Sequence, residues 1–493
     1  MNFDKVCARH YQYLIVILAI AVSISFQGSR GLYETTEGRY AEVSREMIET
    51  GNYLEPTLNY QPHWTKPPLT YWAIAGGLAV FGNNAWGARF FNVIAFVGAV
   101  WAVYYMGVIV GGRNVGIVAA LIYLSSLFPV AGAFAVTTDT LLTMWELFGV
   151  MAYLRAYTHY DVQMRRRWTI AMWFFFGMAF FTKGPPALFP LLAIGLWQWL
   201  HPGRARVFNA YGIAVFMAAA LSWVGWIFWK HPDLLNYYIG HEVVDRLSSH
   251  DLHNSDWYKP FTLYLPALLF GSGPWFFIAL YQFFKKQYPF VRARVAAFLK
   301  TDHPIAFAVY WVLLPLAVFS IVKSRLALYV LPLFAPLVLL AAYAMVHNAA
   351  DSRRLLRFTA RLAIVLVVAW IGAKGVLARY PVDRNMKQVL EDGRAISADA
   401  PIAVYENEKL YGMQFYTNGR MKRVSRTGEE PWADCGIDAF LADCREKKLD
   451  SPHCLLLVKK DHLPDLRQII LTSGLACREF DNGKWRWLLL SDS

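Results

Sequence analysis

The chain has 493 residues, of which 56% are hydrophobic, 16% aromatic and only 17% charged, against about 25% charged in ordinary soluble proteins. With its repeated long uncharged runs, this excludes the disordered, collagen-like and small disulfide-scaffold classes and points to a multi-pass helical membrane protein. The net charge of +13, from 48 basic and 35 acidic residues, is read by position rather than by sum. In a membrane chain Lys and Arg set orientation, so no nucleic-acid partner is expected.

Apolar stretches long enough to cross about 30 Å of hydrocarbon lie near 12–28, 88–110, 115–133, 138–157, 168–182, 187–200, 208–229, 261–284, 304–321, 325–346 and 361–378, about eleven spans. The first is too long, and too poorly followed by a small-residue cleavage site, for a removable signal peptide, and is read as an anchor. Leu69 to Phe81, at about 13 residues, is short for a span and contains Gly76 and Gly77, so an interfacial or re-entrant helix is expected there. Lys5 and Arg9, Arg113, Arg165 to Arg167, Arg204 and Arg206, Lys285 to Lys300 and Arg353 to Arg361 then share one side. The positive-inside rule puts the N-terminus in the cytoplasm and the C-terminal segment outside.

Beyond residue 380 the apolar runs shrink to strand length and charges return. Ile402 to Tyr405, His453 to Val458 and Trp485 to Leu490 read as strands, alternating with helix-like Asp438 to Lys447 and Leu463 to Ile470. Residues 1–379 are thus expected to form the membrane domain, with interfacial helices in 35–82, and residues 380–493 a small extracytoplasmic α/β domain. Cys435, Cys444, Cys454 and Cys477 sit in the latter, where they could form one or two disulfides by any of three pairings or remain buried thiols.

The outer face collects the ionisable groups. Glu37 to Glu49 has Tyr40, Val43, Met47 and Ile48 near helical spacing, which reads as an amphipathic helix on the membrane surface with Glu34, Arg39 and Lys66 nearby. Asp139, in Thr-Thr-Asp-Thr at the mouth of a span, is either a helix cap or a functional carboxylate. The loop 231–259 carries Arg246 and the histidines His250 and His253, the candidates for a divalent cation, without the spacing of an established metal motif. Lys183, Lys323 and Arg325 lie at outer ends of spans and, with Tyr329, suit a phosphate-bearing lipid; snorkelling anchors are the plainer alternative for each cation.

Glu37-Gly-Arg-Tyr-Ala-Glu-Val-Ser-Arg-Glu-Met47, then Gly51-Asn-Tyr and Trp64-Thr-Lys-Pro-Pro-Leu-Thr-Tyr-Trp72, resemble the ArnT-type branch of the lipid-dependent glycosyltransferases. This branch includes the aminoarabinose transferases of lipid A and, more distantly, protein O-mannosyltransferases. The resemblance runs over roughly residues 10 to 345, through Thr138-Asp139, Lys183-Gly184 and Lys323-Ser-Arg-Leu-Ala-Leu-Tyr-Val-Leu-Pro332. It implies a type C glycosyltransferase fold in a bacterial inner membrane, an extracytoplasmic active site, a polyprenyl-phosphate-linked sugar donor and a lipid, glycan or protein acceptor. Two positions depart from the family: Thr36 stands where an Asp is usual, and Thr65 where a Glu is usual.

The mechanism expected from these residues is an inverting transfer. Glu37, Asp139 or Glu34 is the base, and Lys66, Arg246, Lys323 or Arg325 with Tyr329 stabilise the leaving phosphate. Arg39 and Lys183 position substrate. No cofactor is required by the pattern, and a divalent cation is left open. A flippase, or a non-catalytic binder of polyprenyl-linked sugars, is the alternative, although neither symmetric halves nor midplane charges are evident.

Overall fold

The computed structural model describes residues 3–202, 207–234, 254, 256–287, 301–446 and 451–492. Its helices begin with α1 (Phe3–Ile24), α2 (Thr36–Thr50), α3 (Leu69–Phe81), α4 (Ala85–Gly111), α5 (Arg113–Ser125), α6 (Leu127–Ala133), α7 (Thr138–Thr158), α8 (Val162–Lys183), α9 (Phe189–Leu200) and α10 (Ala210–Lys230). They continue with α11 (Leu265–Gly271), α12 (Pro274–Gln287), α13 (Pro304–Ile321), α14 (Phe334–Asn348), α15 (Ser352–Arg379), α16 (Met386–Ile396), α17 (Tyr411–Tyr416), α18 (Ile437–Arg445) and α19 (Leu463–Ser473). The chain divides into two compact units: Met1–Ser25, Thr65–Thr70 and Phe91–Lys374 form the first, and Phe26–Trp64, Tyr71–Phe90 and Gly375–Ser493 the second.

The first unit is helical. Each expected apolar stretch falls on a helix or a helix pair; α5 and α6 bend by 60°, and Pro260–Gly271 and Pro274–Tyr281 by 78°. Among the described residues, five helices are long and apolar enough to cross a membrane, or up to seven if each bent pair is one span. α7 is not among them, since it carries Asp139, Glu146 and Arg155 within its apolar run. It packs on α8, and α8 on α10. Glycine permits the second approach, because a Cβ at Gly177 would come within 2.7 Å of the Ala219 Cβ.

The second unit is built on a mixed sheet in the order β5-β4-β3-β6-β8-β7. Its strands are β3 (Ile402–Tyr405), β4 (Lys422–Ser425), β5 (Cys435–Gly436), β6 (His453–Lys459), β7 (Leu475–Asn482) and β8 (Trp485–Asp492); a small hairpin of β1 (Thr57–Leu58) and β2 (Gln61–Pro62) lies apart from it. The strands from β5 to β6 run parallel, and β8 and β7 pair antiparallel. Side chains alternate between two helix-covered faces. Ala403, Tyr405, Leu456 and Leu488 pack with Phe440 of α18 and Leu466 of α19, whereas Ile402, Val404, Leu457 and Trp487 pack with Met386 of α16 and Met413 of α17. Cys444 and Cys454 are disulfide-bonded, and Cys435 and Cys477 are free thiols.

The loop containing α2 belongs to this second unit. Leu32 N–H donates to the Tyr416 hydroxyl at 2.8 Å, Glu34 N–H to the Arg384 carbonyl at 3.1 Å, and Tyr33 forms a β-bridge with Asn385. The solvated charge face expected of α2 is corrected. Glu37, Glu42, Arg45 and Glu46 of α2 are at most 4% exposed, so its charges form a buried network rather than a solvated face.

Candidate functional site

Asp139 enters the first turn of α7, whose N-terminus is capped by Thr137: the Thr137 hydroxyl oxygen accepts from Asp139 N–H at 3.2 Å. The Asp139 carboxylate is therefore not the cap. It receives the ammonium of Lys183, the last residue of α8, at 2.5 Å, with both side chains buried. Lys183 also lies 4.5 Å from the centre of the Tyr329 ring. Asp139, Lys183 and Tyr329 line a cavity of about 80 Å³, whose walls include Pro186, Phe189 and Phe319.

The other expected cations do not form one cluster around it. Arg325 is buried and spends its guanidinium on the carbonyls of Asn254, Asp256 and Ser320 at 2.7 to 3.0 Å. It braces the backbone and leaves its Nε without a partner. Lys66 donates to the Thr65 carbonyl at 2.7 Å, and neither it nor Lys323 lines the Asp139 cavity. Arg246, His250 and His253 lie outside the described residues, and among the described residues no three His, Cys, Asp or Glu side chains converge as a metal site would require.

In the second unit, Glu37 is clamped by two arginines. Arg30 donates to it at 2.7 and 3.1 Å and Arg89 at 3.0 and 3.1 Å, and the Tyr33 N–H adds a bond at 2.9 Å. Burial alone would raise its pKa, but the charges of Arg89 and Arg30 outweigh burial and hold it at about 2. A carboxylate so committed is a poor proton acceptor.

Glu34 precedes α2 rather than extending it. One carboxyl oxygen accepts from Gly412 N–H, the other is buried without a partner, and burial pushes its pKa up to about 8 against the lowering effect of that bond. Arg39 is half-buried, leaves its Nε unpartnered, and faces a cleft of about 490 Å³ with His63, Tyr411 and Trp432.

Sequence reasoning passed over three residues that matter here. Arg30 and Arg89 had no local signal, since Arg89 meets Glu37 across 52 positions. Glu146 had one: an acidic residue within an apolar run is a functional hypothesis by default. It is 2% exposed and lines the same cavity as Asp139 and Lys183.

A family model described as dolichyl-phosphate-mannose-protein mannosyltransferase matches residues 65–229. The undecaprenyl phosphate-alpha-4-amino-4-deoxy-L-arabinose arabinosyl transferase of Pseudomonas savastanoi pv. phaseolicola is 31% identical over 66% of this chain and 59% of its own length. The arabinosyl transferase 2 of the same description from Proteus mirabilis is 30% identical over 64% and 55%. The chain therefore matches less than two thirds of either relative. The crystal structure of ArnT from Cupriavidus metallidurans bound to undecaprenyl phosphate superposes with a TM-score of 0.77 at 18% identity, covering 98% of both chains. The chain is thus similar in sequence to these arabinosyl transferases and has the fold of ArnT, the type C glycosyltransferase fold.

Proposed function

We propose that the chain transfers a sugar from a polyprenyl-phosphate donor to an extracytoplasmic acceptor, such as lipid A, another envelope glycan or a protein. It does so in a bacterial inner membrane, with its N-terminus cytoplasmic and its C-terminal region outside. The observation that carries this reading is the buried Asp139–Lys183 pair facing a cavity beside Tyr329. A preplaced carboxylate can take a proton there, and a preplaced cation and phenol favour developing negative charge. The names of the relatives, which specify undecaprenyl phosphate and aminoarabinose, agree with it.

In the reaction an acceptor oxygen or nitrogen bonds to the anomeric carbon. The bond from that carbon to the phosphate oxygen breaks, the electron pair leaves with polyprenyl phosphate, and the acceptor's proton passes to Asp139. Asp139 takes this part because Thr36 replaces the family's usual Asp and Glu37 is tied to Arg30 and Arg89. Lys66, Arg246 and Lys323 supply counter-charge to the departing phosphate and Tyr329 a hydrogen bond, while Lys183 orients Asp139.

The test is incubation of detergent-purified protein with isolated envelope lipids, followed by mass spectrometry of lipid-linked sugars and envelope glycans. Loss of one polyprenyl-phosphate sugar with a matching mass gain on a glycan or lipid is expected. Binding of the lipid-linked sugar with no covalent product would overturn transfer.

A further inference from the structure

The transfer described above leaves one group of the cavity without work. Glu146 lines the cavity, is 2% exposed, and its carboxyl has no hydrogen-bond partner among the described residues. It follows Asp139 by two helical turns, so both acids lie on one face of α7, with Glu146 about 10 Å farther along the axis. Lys183, the cation of the described cavity lining, is already bonded to Asp139 at 2.5 Å. A buried carboxyl without a partner is costly whether charged or neutral, and a fold that needed only packing would place an apolar residue there. Leu142, Phe189 and Phe319 of the lining offer no donor, and neither of its hydroxyls, on Ser324 and Tyr329, is bonded to Glu146.

An apolar chamber with a few convergent polar groups is the usual form of a small-molecule site. Resting on the transfer reading, we propose that Glu146 is a specificity-determining residue that accepts a hydrogen bond from a hydroxyl or ammonium of the transferred sugar. The aromatic walls flank the ring, and Asp139 serves the reacting end. The sugar then supplies the donor that the protein withholds. A site built this way rejects a sugar lacking that group more strongly than an apolar pocket would.

The experiment is a cycle between enzyme and substrate. Wild type, Glu146→Gln and Glu146→Leu are assayed with the natural polyprenyl-phosphate sugar and with donors each lacking one ring hydroxyl or amine. For wild type, one deoxy donor is expected to fall about 10- to 100-fold in kcat/KM. Glu146→Leu is expected to fall by a similar factor on the natural donor and no longer to distinguish that deoxy donor. Glu146→Gln restores part of the rate where the group is a hydroxyl and none where it is an ammonium, and either result supports contact. If the Leu variant does not fold, the Gln variant carries the same cycle. Discrimination among deoxy donors unchanged by substitution would overturn the proposal. If wild type transfers from no donor, the transfer reading falls by itself, and the same series scored by quenching of tryptophan fluorescence on binding still decides whether Glu146 contacts the sugar.

Discussion

Two helices of this protein bury acidic residues, and they neutralise them differently. On α2, Glu37 is met by Arg30 and Arg89, and Glu42 by Arg45 at 2.8 and 2.9 Å, with Glu49 and Tyr60 extending the network. On α7, Asp139 shares Lys183, and Glu146 has no hydrogen-bond partner among the described residues. A paired buried carboxylate holds structure; one with an open side toward a cavity has capacity left for a ligand. Most of the motif's charges on α2 are paired, Arg39 Nε and Glu46 Oε1 being the exceptions, whereas the carboxyl that faces a cavity lies on α7, outside the motif.

Substitutions on the two helices sharpen that contrast. Asp139→Asn is expected to lower transfer about 10²- to 10⁴-fold per folded molecule, and also to lower the midpoint of thermal unfolding, because Lys183 is left buried without its counter-charge. Glu37→Gln leaves Arg30 and Arg89 buried without their counter-charge and is expected to cost about 3–5 kcal/mol of stability, read as a lower midpoint of thermal unfolding. Arg325→Lys, which loses most of the carbonyl bracing, is expected to cost about 1–3 kcal/mol while leaving the KM for the donor unchanged. A rise in that KM would return Arg325 to the phosphate site.

The subtlest effect is on pH. Glu34, raised to about 8 by burial, favours the folded state when protonated, so its contribution is full below the ordinary 4.5 and is lost as the pH rises toward 8. Glu37, with burial overcome by Arg89 and Arg30 and its pKa held at about 2, contributes above 4.5 and loses that contribution as the pH falls toward 2. Unfolding midpoints of wild type should therefore fall between pH 4.5 and 8 by an amount that Glu34→Gln removes. An unchanged slope in that variant would show that Glu34 is not the group responsible.

Much of the architecture was legible where burial is periodic. The long apolar runs fell on helices, and Ile402 to Tyr405, His453 to Val458 and Trp485 to Leu490 are strands because short, nearly continuous apolar runs suit a sheet covered on both faces. Edge strand β7, reading Leu-Ala-Cys-Arg-Glu-Phe-Asp-Asn, was not legible: its exposed side chains are polar and its pairing with β8 is supplied by the backbone. Nor was the fate of the α2 charges, since Glu42 and Arg45 have the same three-residue spacing on a solvated helix as on a buried one. Asp139 and Lys183 were legible as residue types, but their pairing across 44 positions is made by the packing of α7 on α8. Glu146 was visible as an acid inside a span, and only the cavity gave that acid a meaning.

The most direct test of the contrast is transfer activity per folded molecule, measured side by side for Asp139→Asn and Glu37→Gln after removal of aggregate. Near-complete loss of transfer in folded Asp139→Asn, with activity close to wild type in whatever Glu37→Gln remains folded, is the predicted result. Full activity in Asp139→Asn, or a folded but inert Glu37→Gln, would contradict the account and move the base to α2.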